Sequence, residues 1–476
     1  MNIKTSNDSK ENIIFYPYWE ESTLLPAEIL SKISEDKDYF TAKGQVRRYF
    51  LSNKNILVIH LGKKEKVTLE SFRQFLSSTY KIAKKELFKS FDVTLCYDGL
   101  GLKKEDVFYS SLEGLLLSDY EYDKFKSSKN KKFKVEDVTL IIEEIPNSLE
   151  LINKAKLITE SVFMTRDLVN GPANFITIDY MEDFAKEIAG KDNLKFSVIR
   201  EEQLLKDGFN LLHSVGKGSV QRPRLIELEY FVGNDKPTIC LIGKGIIFDT
   251  GGLNIKPENF MSDMKSDMAG SATVLSLIHC ISNLKLPINV VSLLPMAENA
   301  VDGNSYRPGD VIIAYNKKSV EILNTDAEGR LILSDALSYS DTKKPDLTID
   351  FATLTGAAII ALGTKIATVY FRDEKYKQKM FDASKKSGEA IWELPLFEDY
   401  KENLKADIAD VANLGTPSRQ AGSIMGALFL SEFIENQQWI HFDLAGTAFF
   451  DKEWNYNPKG GTGFILRTIV EFLGKM

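Results

Sequence analysis

Thr238-Ile-Cys-Leu-Ile-Gly243 runs directly into Lys244-Gly-Ile-Ile-Phe-Asp-Thr-Gly-Gly-Leu-Asn-Ile-Lys256. The first six residues form a short apolar run closed by a glycine, which reads as a buried strand. The segment after it sets Lys244, Asp249 and Lys256 among Gly243, Gly245, Gly251 and Gly252, residues that let a backbone bend and approach a ligand closely. Met264-Lys-Ser-Asp-Met-Ala-Gly270 adds Asp267 ahead of an apolar helical pattern from Ala272 to Leu284. A carboxylate in a first helical turn can simply answer the helix dipole. That reading accounts for Asp267, but not for lysines and aspartates interleaved with glycines.

The same alternation continues outward. Strands are predicted at Ile239–Gly243, Val290–Pro295, Leu347–Thr353 and Trp439–Ala445, and helices at Ala272–Leu284, Leu331–Ser340 and Ser423–Ile434. Apolar strands spaced by helices indicate an α/β fold whose mostly parallel sheet is flanked by helices. Ligands of such sheets bind beyond the carboxyl ends of the strands. Upstream, the runs Ile56–His60, Val93–Tyr97 and Val138–Ile142, with a helical pattern over Leu69–Phe88, predict a smaller α/β domain spanning 1–150. Its role is open, with oligomerisation one option. Leu149–Val169 reads as a helix ended by Asn170-Gly-Pro172, so 151–170 is expected to link the small domain to a larger one at 171–476.

Asn324-Thr-Asp-Ala-Glu-Gly-Arg330 packs two carboxylates, a glycine and an arginine together. In an extended segment Asp326 and Glu328 point to one side. Like charges aimed at one spot repel unless a cation sits between them. A polar turn between a strand and a helix is the alternative reading. Asp249, Asp267, Asp326 and Glu328 together carry the charge that two divalent cations balance, and oxygen donors of this kind suit Zn, Mn, Mg or Co. Histidine contributes little: His60, His213, His279 and His441 form no HExxH pair. His60 and His279 lie in apolar runs and read as structural. His213 sits in a loop-like stretch without a partner, and His441, beside Asp443, reads as a structural hydrogen bond.

These blocks resemble the M17 leucyl aminopeptidase family, also called the cytosol aminopeptidases. NTDAEGRL at 324–331 resembles the family signature, while GKGIIFDTGGLNIKP at 243–257 and MKSDMAG at 264–270 resemble its other metal-binding blocks. Further similar blocks are RDLVNGPAN at 166–174, ATLTGA at 352–357, AGSIMGALFL at 421–430 and HFDLAGTA at 441–448. The resemblance runs from about residue 160 to the C-terminus. It implies a metal-dependent aminopeptidase that releases N-terminal residues, broadly but with a leucine-like preference, from peptides with a free N-terminus. One metal would be held by Lys244, Asp249, Asp267 and Glu328, and a second, more exchangeable one by Asp249, Asp326 and Glu328, with Zn or Mn ahead of Mg or Co. Lys256 and Arg330 would be catalytic without being ligands, with a bicarbonate near Arg330. Met264, Thr353 and Gly356 would line the pocket for the N-terminal side chain, and the assembly would be a homohexamer. Lys244 can ligate only as a neutral amine, so its pKa must fall far below about 10.4; a plain salt bridge with Asp249 is the alternative. Ser262, Phe260 and Gly461 depart from the family pattern, and none is a proposed ligand.

At 476 residues the chain suits two domains, and a 43% hydrophobic composition supports a large core. The net charge of −7 argues against a general nucleic-acid binder. A DNA-binding or regulatory protein on the same scaffold is the alternative function. The lysine-rich run Lys124–Lys134 would serve it, although a solvated loop is the plainer reading of that run. Cys96, Cys240 and Cys280 lie far apart in apolar runs and imply no disulfide framework. Met1–Asn12 lacks the apolar core of a secretory signal, and the longest apolar stretch, Ala352–Gly363, is too short to span a bilayer. A cytoplasmic location is expected.

Overall fold

The computed structural model describes residues 1–36, 38–127, 133–417 and 420–476. Part of the lysine-rich run, residues 128–132, lies outside the described residues. The chain forms two compact units, Met1–Glu160 with Glu453–Pro458, and Ser161–Lys452 with Lys459–Met476. It passes from the first to the second within the helix Ser148–Asn170.

The first unit is built on a six-stranded sheet in the order Asn2–Ser6, Asp137–Ile141, Ser90–Thr94, Ile13–Tyr18, Lys54–His60, Val46–Leu51. All neighbours are parallel except the last pair. Ile56 to His60 are buried without a break, as in a strand covered on both faces. Three strands, Asn2–Ser6, Ile13–Tyr18 and Val46–Leu51, were not picked out in the sequence. Val46–Leu51, for instance, is an antiparallel edge that leaves Phe50 exposed. The strand expected at Val93–Tyr97 pairs instead over Ser90–Thr94, while Leu95 and Cys96 stay buried beyond the paired segment. Leu95 still donates its N–H to the Ile141 carbonyl at 2.9 Å, so the ladder reaches one residue past the paired segment.

The second unit holds a nine-stranded mixed sheet. Its centre is parallel: Trp439–Asp443, Leu347–Ala352, Thr238–Gly243 and Asn289–Asn299 are neighbours in that order, and Gly245–Asp249 pairs with the last. Antiparallel strands Arg224–Tyr230 and Lys195–Arg200 extend one side, and Ala367–Phe371 joins the other. Cys240 and Ile242 share one core with Leu331, Leu333 and Ala336 of the helix Glu328–Asp341. The apolar helix Ala269–Leu284 packs on the same central strands. Gly461 stands where its Cβ would meet Val169 Cβ at 2.8 Å, a close approach that suits glycine better than alanine. No helix among the described residues is long and apolar enough to cross a membrane.

Asp335 anchors the helix that carries the acidic motif. Fully buried, it accepts the N–H groups of Leu212 and Tyr315, each at 2.9 Å. Burial pushes its carboxyl up to about 7 although these donors pull the other way. Asp335→Ala leaves both N–H groups without an acceptor, at a cost of about 3 kcal/mol. The urea unfolding midpoint should fall accordingly with an unchanged slope.

Candidate metal centre

The central parallel strands end on one edge, and each delivers a polar side chain there. Thr238–Gly243 leads to Lys244, Gly245–Asp249 ends on Asp249, Asn289–Asn299 ends on Asn299, and Leu347–Ala352 leads to Thr353. The site therefore lies beyond the carboxyl ends of the strands. Two glycines make the approach possible. Gly251 turns the chain at a φ of 86°. Gly329 lets the helix start pass Lys244, whose Cε would lie 2.4 Å from a Cβ at that position.

The segment Asn324–Arg330 is not extended, so strand alternation does not bring Asp326 and Glu328 to one face; the alternative reading, a polar turn ahead of a helix, holds. The segment turns, and Glu328 is the first residue of the helix Glu328–Asp341. Side chains rather than a ladder satisfy its backbone: Asn324 accepts the Asp326 N–H at 2.7 Å, and Asn413 accepts that of Leu323 at 2.8 Å. The turn still brings the carboxylates together. Oxygens of Asp249, Asp326 and Glu328 lie within 4.8 Å of one another.

Asp267 joins from the other side. Its Oδ1 accepts from Lys244 Nζ and Thr353 Oγ1, both at 2.7 Å, and its Oδ2 is buried with no partner among the described residues. Lys244 also donates to the Thr353 carbonyl at 2.8 Å and lies 2.9 Å from Glu328 Oε1. Its ion pairs are thus with Asp267 and Glu328, not with Asp249. Lys256 spans Asp249 Oδ2 at 2.7 Å and Asp326 Oδ1 at 2.6 Å. Two ammonium groups therefore share the space of the four carboxylates, so counting carboxylates alone does not give the number of cations. Geometry supports a cation better than charge does: a converging acidic trio and a buried, unpartnered carboxylate oxygen are the donor set hard or borderline cations take.

The electrostatics follow from burial. Desolvation pushes Asp249 up to about 6, helped by Glu328 and opposed by Lys256 and Lys244. Desolvation also lifts Asp267 well above the usual carboxylate range against the pull of Lys244. Burial favours a neutral Glu328 as well, but Lys244 and Lys256 outweigh it and hold the carboxyl low. Burial pulls Lys244 down, yet Asp267 and Glu328 outweigh it and keep the ammonium above its ordinary value. The neutral amine that ligation demands therefore needs a cation's field in addition to burial.

The helix predicted from Leu331 begins at Glu328, so Arg330 is its third residue. Its Nη1 donates to the Asn413 carbonyl at 2.8 Å, and its buried Nε has no partner among the described residues. Desolvation lowers the guanidinium to about 10. A cleft of about 460 Å³ opens here, bounded by Asp326, Arg330, Leu354, Gly356, Leu414 and Met425. Gly356 lines it, Thr353 is engaged by Lys244 and Asp267, and Met264 is half-buried on the turn Met264–Ser266.

The histidines lie elsewhere. His441 Nδ1 meets Asp350 Oδ1 at 2.6 Å, not Asp443, and His279 meets Asp192 at 2.6 Å. His213 is not in a loop: it lies in the helix Asn210–Gly216, 3.4 Å from Glu201. Asn299, Thr325, Asn413 and Asp443 brace the site and were given no role in it from the sequence. Asn299 and Asp443 end strands, and Asn413 directly follows one.

Known proteins match the chain over most of its length. The model described as the cytosol aminopeptidase family, catalytic domain, matches residues 163–470, and that of the family's N-terminal domain matches residues 23–129, where no motif was legible. A probable cytosol aminopeptidase of Clostridium perfringens is 36% identical over 99% of this chain and 98% of its own length. One from Aquifex aeolicus is 40% identical over 88% of this chain and 85% of its own. Among solved structures, the bottromycin maturation enzyme BotP in complex with Mn superposes with a TM-score of 0.86 at 30% identity, covering 98% of this chain and 99% of that one. The chain belongs to the M17 cytosol aminopeptidase family, metal-dependent hydrolases that act on the N-terminal residues of peptides.

Proposed function

We propose that this chain holds two divalent cations, Zn or Mn with Mg or Co as substitutes, and releases leucine-like residues preferentially from peptides with a free N-terminus. The convergence of Asp249, Asp326 and Glu328 within 4.8 Å carries the reading. Lys244, Asp249, Asp267 and Glu328 are assigned to one cation, and Asp249, Asp326 and Glu328 to the other. Mn in the related BotP structure supports the choice of metal. Bound divalent cations supply hydroxide near neutral pH and polarise a carbonyl.

The chain's own residues do the rest. Lys256 donates to the substrate carbonyl oxygen as negative charge builds there. Arg330 is anchored on Asn413 and offers Nε to a small anion; bicarbonate there would relay a proton. Leu354, Leu414 and Met425 make one side of the cleft apolar, which favours leucine- and methionine-like residues, with Met264, Thr353 and Gly356 assigned to the pocket for the N-terminal side chain. The working form is assigned as a cytoplasmic homohexamer. The DNA-binding alternative draws no support from the relatives' names.

A leucyl amide and its N-acetylated twin test this directly. Only the free-amine form should be cleaved, and a chelator should abolish the cleavage until Mn or Zn is returned. Equal rates on both forms would contradict recognition of the free amine, and chelator-resistant turnover would contradict the cations.

A further inference from the structure

We infer that Asn299 is a positioning residue that selects which oxygen of Asp249 faces the cation cluster and, through the same amide group, fixes the turn that carries Asp326. The inference rests on the metal reading above and extends it to a residue that is neither ligand nor catalytic group.

Asn299 is the last residue of the strand Asn289–Asn299 and lies opposite Asp249 in the parallel pairing with Gly245–Asp249. Paired neighbours on parallel strands sit about 4.8 Å apart, so the two side chains meet. Asn299 is fully buried. Its Nδ2 donates to Asp249 Oδ1 at 2.8 Å and to the Thr325 carbonyl at 3.0 Å. Both amide hydrogens are thereby used, one on each ligand-bearing segment. Asp249 Oδ1 also accepts the Gly251 N–H at 2.9 Å. With two donors on Oδ1, the carboxylate plane is set and Oδ2 turns inward, where Lys256 Nζ lies 2.7 Å away.

The second hydrogen works on the other loop. The Thr325 carbonyl, held also by Tyr306 Oη at 2.7 Å, belongs to the peptide unit whose N–H, on Asp326, is bound by Asn324. That unit is pinned at both ends, directly before the Asp326 side chain. Thr325 Oγ1 donates to the Gly251 carbonyl at 2.6 Å and so ties the two segments a second time. Ligands held by such outer contacts lose roughly 10- to 100-fold in metal affinity when the contact is removed.

The test is Mn²⁺ binding by calorimetry on the purified full chain, with melting temperature and KM measured alongside. Asn299→Leu keeps size and neutrality but removes both hydrogens; Asn299→Ser is the smaller second variant if leucine does not pack. Each folded variant should bind Mn²⁺ roughly 10- to 100-fold more weakly, with KM at saturating Mn²⁺ changed by no more than about twofold. Asn289→Ser is the control. Asn289 is buried on the same strand about 33 Å away, and its amide group serves Val232 and Gly233. It should lower the melting temperature and leave Mn²⁺ affinity unchanged.

Folded Asn299 variants that bind Mn²⁺ as tightly as the wild type overturn the inference. So does an equal loss of affinity in Asn289→Ser, because the effect would then be general loosening. A wild-type chain that binds no divalent metal overturns the metal reading and this inference with it.

Discussion

Glu328→Gln is expected to lower kcat/KM for a leucyl amide about a thousandfold and to cost the chain bound metal. Glu328 is the side chain that joins the two halves of the cluster. It lies 2.9 Å from the Lys244 ammonium on one side and belongs with Asp249 and Asp326 on the other. Glutamine matches its shape but removes the charge both cation positions are assigned to share. The loss of metal-supplied stabilisation is worth about 4 kcal/mol, or about a thousandfold in rate. Lys244 keeps Asp267 and the Thr353 carbonyl as partners, so the fold should survive. Metal analysis on the purified variant separates the outcomes. Full metal content with full activity would remove Glu328 from the site.

Lys256→Met should lower kcat about a hundredfold while metal content is retained. The Lys256 ammonium sits between Asp249 and Asp326, and its side chain keeps 15% exposure, so it can turn from these carboxylates to a substrate carbonyl. A donor to a developing oxyanion is worth on the order of 3 kcal/mol. Removing a positive charge from among carboxylates does not weaken their hold on cations. The two variants therefore differ in kind: one loses metal and rate together, the other loses rate alone. A Lys256→Met enzyme with an unchanged kcat would assign the oxyanion to another group.

The blocks around Lys244, Asp267 and Glu328 were legible because each follows an uninterrupted apolar strand or opens an apolar helix, and uninterrupted burial leaves a plain trace in composition. The edge strands Lys195–Arg200 and Val46–Leu51 left none, since one exposed face dilutes the pattern with charge. Asp326 and Glu328 were paired for a reason that does not hold. Strand alternation would have put them on one face, whereas a turn braced by Asn324 and Asn413 does it. Histidine partners show the same limit. His441 lies two residues from Asp443 in the chain yet pairs with Asp350 on the neighbouring strand.

The order of residues by itself determined the α/β class, the strand-end location of the acidic and basic groups, and the family, because these depend on local periodicity and on short blocks read within one segment. Only the tertiary structure decided which oxygens converge, which carboxylates each lysine serves, and how the cleft beside Arg330 is walled. Those depend on contacts such as Asn299 to Asp249 and Arg330 to Asn413, between residues dozens of positions apart. Sheet order and the crossing of glycine-lined segments bring such residues within hydrogen-bond range, and no pattern within a single segment encodes that meeting.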